Sequence, residues 1–187
     1  MTERDYCKYY FLRHAESLSN VSGDVTILDP ELSEDGRRQC TEISFPPLAE
    51  DALIVSSTAR RTLQTATLFF PDRSIYATDL FLEYNTGVPC NQRRSLSVQK
   101  EEFPMVDFTT YEVSELPIER TWQDGIDRAK RIRTFLESLH RSEVVVVTHA
   151  NILRNIIQEL TGMYEEKEIP NARWIAMNVT LKRLPEE

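Results

Sequence analysis

Two rhythms of apolar residues alternate along this chain. Short runs rich in β-branched or aromatic residues stand at 7–12 (CKYYFL), 52–57 (ALIVSS), 74–78 (SIYAT), 143–149 (EVVVVTH) and 173–184 (RWIAMNVTLKRL). Runs of this kind predict strands. Between them the apolar residues recur at intervals of three and four, which predicts helices. At 32–43 (LSEDGRRQCTEI), Ser33 offers an N-cap with acidic residues in the first turn. Over 59–70 the period is carried by Leu63, Ala66 and Phe70. At 123–140, Ile126, Ala129, Ile132, Leu136 and Leu139 form one face, with Arg128, Lys130, Arg131 and Glu137 on the opposite one. A last helix, through Ile152, Leu153, Ile156, Ile157 and Leu160, ends near Gly162.

The order of these elements predicts an α/β fold: a single-domain three-layer sandwich, with a mostly parallel central sheet and helices on both faces. Four consecutive valines, Val144 to Val147, do not alternate with polar residues. That predicts a strand buried on both faces, hence central. From about 80 to 122 the periodicity weakens and Pro89, Pro104 and Pro117 interrupt it. The expectation is an irregular excursion within one domain covering 1–187. Trp122, Trp174 and the aromatic residues from Phe103 to Tyr111 read as core rather than as a lid. His140 reads as a helix-end residue, set against the helix dipole or exposed. No internal repeat is visible.

Composition narrows the function. The chain has 187 residues, with 22 Lys+Arg against 30 Asp+Glu and a net charge of −8, so a general nucleic-acid-binding surface is excluded and any basic site must be local. Three cysteines, Cys7, Cys40 and Cys90, are far apart and odd in number. Neither a disulfide framework nor a metal cluster is indicated, and they read as reduced thiols in a cytoplasmic protein. The first residues carry Glu3, Arg4, Asp5 and Lys8, unlike a secretory signal. No apolar run reaches membrane-spanning length.

Two predicted strands end alike, YYFLRH at His14 and VVVVTH at His149. In open α/β sheets ligands gather at the carboxyl edge of the strands, near helix N-termini. Both histidines are expected there, with Arg60 and Arg61 of SSTARRTLQTA in the same layer.

These residues resemble the signatures of the histidine phosphatase superfamily, which includes the cofactor-dependent phosphoglycerate mutases. Arg13, His14, Ala15 and Asn20 resemble its Arg-His-Gly signature with an Asn six residues after the His. Asp29, Leu32, Ser33, Gly36 and Gln39 match an Asp-x-x-Leu-Ser/Thr-x-x-Gly-x-x-Gln pattern. SSTARRTLQTA is similar to Ser-Ser-x-x-x-Arg-Ala-x-Gln-Thr-Ala, a register that selects Arg61 and leaves Arg60 on the surface. LEYNTG resembles the acidic signature, with Glu83 and Gly87. VVVVTHANILR resembles the strand ending in Ser/Thr-His-Gly.

The resemblance implies that His14 is a nucleophile forming a phosphohistidine, that Arg13, Arg61 and His149 hold the phosphoryl group, and that Glu83 is general acid and base. The residue types suit the chemistry. A phosphoryl group in transfer spreads charge over three oxygens and calls for fixed cationic donors. The nucleophile must be a neutral imidazole, which nearby guanidinium groups favour. Asn20, Arg93, Arg94, Ala150 and Asn151 are the candidate substrate-binding residues, the arginine pair for a second anionic group. Glu16, Glu101 and Glu102 are alternative acids, and pairing of Arg13 or Arg61 with acids such as Asp29 is the structural alternative. Neither metal nor cofactor is implied.

Two departures stand out. Ala15 and Ala150 occupy positions where the family usually has Gly, which predicts a phosphate pocket crowded by a methyl group but still served by backbone N–H groups. The expected activity is hydrolysis of a phosphomonoester on a small molecule or phosphoprotein, with no nucleic-acid or membrane partner. A phosphoglycerate mutase-type transferase and a silent phospho-ligand binding module are the alternatives.

Overall fold

Six strands form one sheet in the order β4-β3-β2-β5-β1-β6. They are β1 (Tyr6–Arg13), β2 (Leu53–Ser57), β3 (Ile75–Thr78), β4 (Val106–Asp107), β5 (Glu143–Thr148) and β6 (Trp174–Thr180). All neighbours pair in parallel except β6, which runs antiparallel to β1 at the edge. The helices are α1 (Leu18–Ser22), α2 (Glu34–Glu42), α3 (Arg60–Phe69), α4 (Leu96–Glu102), α5 (Trp122–Ser138) and α6 (Ala150–Thr161). The structure, a computed structural model, describes residues 6–84, 86–111, 113–114, 118–119 and 121–180. Pro117 and the predicted strand residues 181–184 lie outside the described residues.

Alternation along the strands divides the core into two layers. Tyr9, Phe11, Val55, Val144 and Val146 point toward α5 and α6, meeting Ile132, Leu136, Ile152 and Ile156. Tyr10, Leu12, Ile54, Val145 and Val147 point the other way, toward Leu63, Ala66 and Phe70 of α3 and its C-terminus. The four valines of β5 are fully buried between β2 and β1. Each such side chain contributes about 1.5–3 kcal/mol through burial.

Local chemistry fixes the element ends. Ser33 caps α2 by accepting the Gly36 N–H at 2.9 Å, with Glu34 and Asp35 in the first turn. Gly36 is required by close approach: a Cβ there would stand 2.0 Å from the Glu16 carbonyl oxygen.

Several expectations are corrected. The stretch from 80 to 122 contains helix α4 and the two-residue strand β4, which adds a parallel edge to β3. Both were hidden because two residues carry no periodicity and α4 is only seven residues long. Phe103 and Phe108 are core residues, but Trp122 is exposed at the start of α5, beside Tyr84 and Tyr164. Arg128, placed by spacing on the polar side of α5, is 1% exposed. It is buried because Glu119 and the Leu82 carbonyl lie over that side of the helix. His140 is exposed, with φ of 48° just after α5.

Candidate active site

β1 and β5 are hydrogen-bonded neighbours, with Arg13 opposite Thr148. The next residue on each strand, His14 and His149, therefore leaves the carboxyl edge of the sheet beside the other. The His14 N–H donates to the Thr148 carbonyl at 2.9 Å. The two rings lie 5.1 Å apart between centroids, at 62° to one another, and both are buried.

Partners determine how each ring is used. His14 Nδ1 lies 2.7 Å from the Ala15 carbonyl oxygen. A carbonyl only accepts, so in the neutral ring Nδ1 carries the proton and Nε2 is left with a free lone pair. Arg61 Nε donates to that Nε2 at 3.2 Å. Burial, then the Arg61 charge and, more weakly, Arg13 hold the His14 pKa well below the ordinary value, against the Ala15 hydrogen bond. The imidazole is neutral at neutral pH. Burial is also the first cause of a His149 pKa far below the ordinary value, followed by the charge of Arg61.

Arg61 sits in the first turn of α3, buried, and donates through Nη1 to the Cys90 carbonyl at 2.7 Å. The start of α3 is held by Asp29, whose Oδ1 accepts the Arg60 N–H at 2.8 Å. Asp29 also accepts from the Arg94 N–H and the Gln99 amide, so one buried carboxylate ties the 89–99 segment to the helix bearing Arg61. Arg60 itself is paired at the surface with Glu31 and Glu102. Arg13 ends β1 and donates through Nη1 to the Ile169 carbonyl, with the exposed Glu168 at 3.5 Å. Burial lowers the pKa of both arginines, yet guanidinium keeps its proton in proteins. Two cations thus stand beside two neutral imidazoles.

Glu83 follows the 3₁₀ turn Asp79–Phe81 and lies over the N-terminus of α6. Its Oε1 accepts the Tyr84 and Ile152 N–H groups and its Oε2 the Asn151 N–H, all at 3.0 Å. The Asn151 and Ile152 N–H groups are donors that a helix start leaves without internal partners. Arg128 holds the segment from behind, donating to the Leu82 carbonyl at 2.7 Å and to Glu119 at 2.9 Å, with its guanidinium 5.9 Å from the Tyr84 ring centre. Gly125 leaves room for Tyr84, since a Cβ there would meet the Tyr84 hydroxyl at 2.0 Å.

The other candidates divide. Ala150 and Asn151 open α6 beside Glu83. Asn20 lies on α1, where its Oδ1 accepts from Ser17 and from Asn171 Nδ2; Asn171 also donates to the His14 carbonyl at 3.0 Å. Arg93 grips Asp79 through Nε and Nη2 at 2.8 and 2.9 Å. Arg94 is engaged by Asp29, Gln99 and Glu102. Both guanidinium groups are occupied by the protein's own carboxylates. Among the alternative acids, Glu102 is held by Arg60 and Arg94, Glu16 accepts from the Ser33 hydroxyl at 2.6 Å, and Glu101 is exposed on α4.

The expected crowding by Ala15 is not found. Its methyl packs with Leu32, Cys40 and Ala172 in a small separate cluster, and its N–H donates to Thr65 Oγ1 at 3.0 Å. The Ala15 N–H is therefore spent within the protein.

Four contributors escaped the sequence reading. Arg128 carries no signal, because a charged residue at that spacing reads as solvated. Asn171 and the Ile169 carbonyl belong to a loop without periodicity. Ser57, in the Ser-Ser motif, is buried with Oγ 2.9 Å from His149 Nε2. Its place in that motif was the available signal. Two buried nitrogen atoms at the site, Arg13 Nε and His149 Nδ1, have no hydrogen-bond partner among the described residues. Both are buried polar atoms that the protein's own groups leave unsatisfied.

The sequence matches the profile of the histidine phosphatase superfamily (branch 1) over residues 9–183. The chain belongs to that superfamily. Among curated relatives it is 26% identical to phosphoglycerate mutase-like protein 1 of Arabidopsis thaliana over 203 residues, covering 82% of this chain and 72% of the relative. Among solved structures it is similar to a putative alpha-ribazole-5'-P phosphatase from Escherichia coli, with TM-score 0.64, 18% identity and coverage of 95% and 97% of the two chains. It is also similar to the ecdysone phosphate phosphatase of Bombix mori solved with tungstate, with TM-score 0.64, 15% identity and coverage of 91% and 88%. At these identities the structural likeness establishes the fold. Among the described residues, no helix is long and apolar enough to cross a membrane.

Proposed function

We propose that this member of the superfamily hydrolyses a phosphomonoester through a phosphohistidine on Nε2 of His14. The observation that carries the reading is the pair of bonds on that ring. Nδ1–H is committed to the Ala15 carbonyl, so the attacking lone pair is the one on Nε2, released as Arg61 Nε–H turns from it to the phosphoryl oxygens. Arg61, donating to Nε2 at 3.2 Å in the resting site, marks where the phosphoryl oxygens enter. Arg13, Arg61 and His149 then take the three equatorial oxygens.

In the first half-reaction the Nε2 lone pair forms the N–P bond as the bond from phosphorus to the ester oxygen breaks. That oxygen takes a proton from Glu83. In the second half, Glu83 accepts a proton from water, the water oxygen bonds to phosphorus, and the N–P electron pair returns to Nε2. Oε2 of Glu83 accepts one backbone N–H where Oε1 accepts two, which favours Oε2 as the proton-carrying oxygen. No step draws on a metal.

The ion pairs of Arg93 with Asp79, and of Arg94 with Asp29 and Glu102, favour hydrolysis over mutase action, because they occupy the cations that would hold a second anionic group. The substrate is a small phosphorylated molecule, the class to which the alpha-ribazole-5'-P and ecdysone phosphate named for the neighbouring structures belong.

Brief incubation with a ³²P-labelled phosphomonoester, quenched in alkali, tests the proposal. Wild type carries base-stable, acid-labile label and releases phosphate, whereas His14→Ala does neither. Transfer between hydroxyls with little release would favour the mutase. Absence of both label and release across a broad panel of phosphomonoesters would favour a phospho-ligand binding module.

A further inference from the structure

The reading above gives His149 a role in holding phosphate but does not say which ring nitrogen does it. Nε2 is 2.9 Å from Ser57 Oγ, while Nδ1 is buried without a partner among the described residues. A neutral imidazole has one N–H, so two arrangements compete. In one, Nε2–H donates to Ser57 and a bare Nδ1 remains. In the other, the Ser57 hydroxyl donates to Nε2 and Nδ1 carries the proton.

The neighbours of Ser57 decide between them. Its Oγ accepts the Ala59 N–H at 3.3 Å, a bond formed where β2 turns into α3. The only acceptor within hydrogen-bond distance of that hydroxyl, among the described residues, is His149 Nε2. If Nε2 donated instead, Ser57 Oγ would accept twice and its own proton would have no acceptor. At the same time a bare Nδ1 lone pair would be left beside a site built for an anion. With the hydroxyl donating, the Ser57 proton and Nε2 are both satisfied, and the one group left without a protein partner is a neutral Nδ1–H donor.

We propose that Ser57 is a positioning residue: it fixes His149 as the Nδ1–H tautomer and so turns Nδ1 into a hydrogen-bond donor to the bound phosphoryl group. This rests on the phosphate-binding reading of the site. It makes the two histidines the same tautomer by different means, a backbone carbonyl for His14 and a side-chain hydroxyl for His149. They have opposite uses: His14 presents a bare nitrogen, His149 an N–H. Because His149 is fully buried beside Arg61, a neutral donor adds to the clamp without placing a third positive charge there.

The test is ¹⁵N NMR of the imidazole side chains in the full-length protein, free and with orthovanadate as probe, together with phosphate-release kinetics. In wild type, His149 shows a protonated Nδ1 and an unprotonated Nε2. Ser57→Ala loses or mixes that pattern, and kcat/KM falls by roughly ten- to a hundredfold, by analogy with removal of the hydrogen-bond partner of a metal-ligating imidazole. Ser57→Thr, which keeps the hydroxyl, restores both. A wild-type His149 protonated at Nε2 overturns the inference, whether or not the Ala variant folds. So does a Ser57→Ala protein with unchanged tautomer and rate. A wild type inactive on all phosphomonoesters and without His14 label would instead overturn the phosphatase reading, while the tautomer measurement would still stand or fall by itself.

Discussion

The junctions that follow β1 and β5 begin alike and finish differently. Each is a parallel strand that ends in a histidine, and Arg13 and Thr148 lie opposite one another just before the two rings. After His14 the chain turns so that the Ala15 carbonyl meets Nδ1, and the ring is directed toward Arg61 with Nε2 bare. After His149 it enters α6 at once, the ring turns to Ser57, and the helix start is covered by Glu83. On the proposed function one junction presents the nucleophile, and the other an N–H donor beside a carboxyl group. The difference teaches that backbone position sets which residue types meet, whereas the hydrogen bond on the far nitrogen sets what each ring can do.

The largest effects should come from replacing the two rings. On the proposed function His14→Asn removes the attacking lone pair and is expected to lower kcat by at least about a thousandfold, with no phosphoenzyme. His149→Ala is expected to cost about a hundred- to a thousandfold, the scale of losing one preorganised donor. His149→Asn should recover part of that loss, because its amide nitrogen stands near the position of Nδ1. Steady-state kinetics on one phosphomonoester checks all three, and equal behaviour of the two Asn variants would erase the contrast.

A smaller effect is expected in stability. Both imidazoles have folded-state pKa values held well below the ordinary 6.5. Below that pH the unfolded chain binds protons that the folded protein refuses. Their neutral burial is therefore without penalty above pH 6.5, and stability falls as pH drops toward the folded-state values. Stability should therefore be lower at pH 5.5 than at pH 7. Urea unfolding at the two pH values measures it. His149→Asn should remove part of that acid-dependent loss, and no reduction would show that the ring is not kept neutral.

The smallest effect concerns Ala15. Since its methyl packs with Leu32, Cys40 and Ala172 rather than in the pocket, Ala15→Gly should leave kcat/KM unchanged. Stability should fall by about 1 kcal/mol, from lost packing and added chain entropy. A rise in kcat/KM would restore the crowded-pocket expectation.

Much of this geometry was legible beforehand because it follows from short-range patterns. Four unbroken valines required a two-sided strand, and β5 is central. Ser33 and the acids after it required a helix start, and α2 begins there. The region from 80 to 122 resisted because its regular pieces are short. Arg93 and Arg94 were misleading for a different reason. Charge spacing does not reveal that Asp29 and Asp79, 65 and 14 residues away, are buried beneath them. Arg128 failed likewise, since a helical period assigns a face but not what covers it.

By itself the sequence determined the alternation of strands and helices, the central place of the valine strand, and the residue types waiting at two strand ends. These depend on periodicity, capping and burial, which are properties of neighbours along the chain. Only the tertiary structure decided that His14 and His149 stand 5.1 Å apart, that Arg61 meets Nε2, that Glu83 covers the start of α6, and that Ser57 engages the second ring. Those contacts join residues at least 47 positions apart. They arise because strand order places β5 between β1 and β2, a choice made by packing the whole sheet and encoded in no single segment.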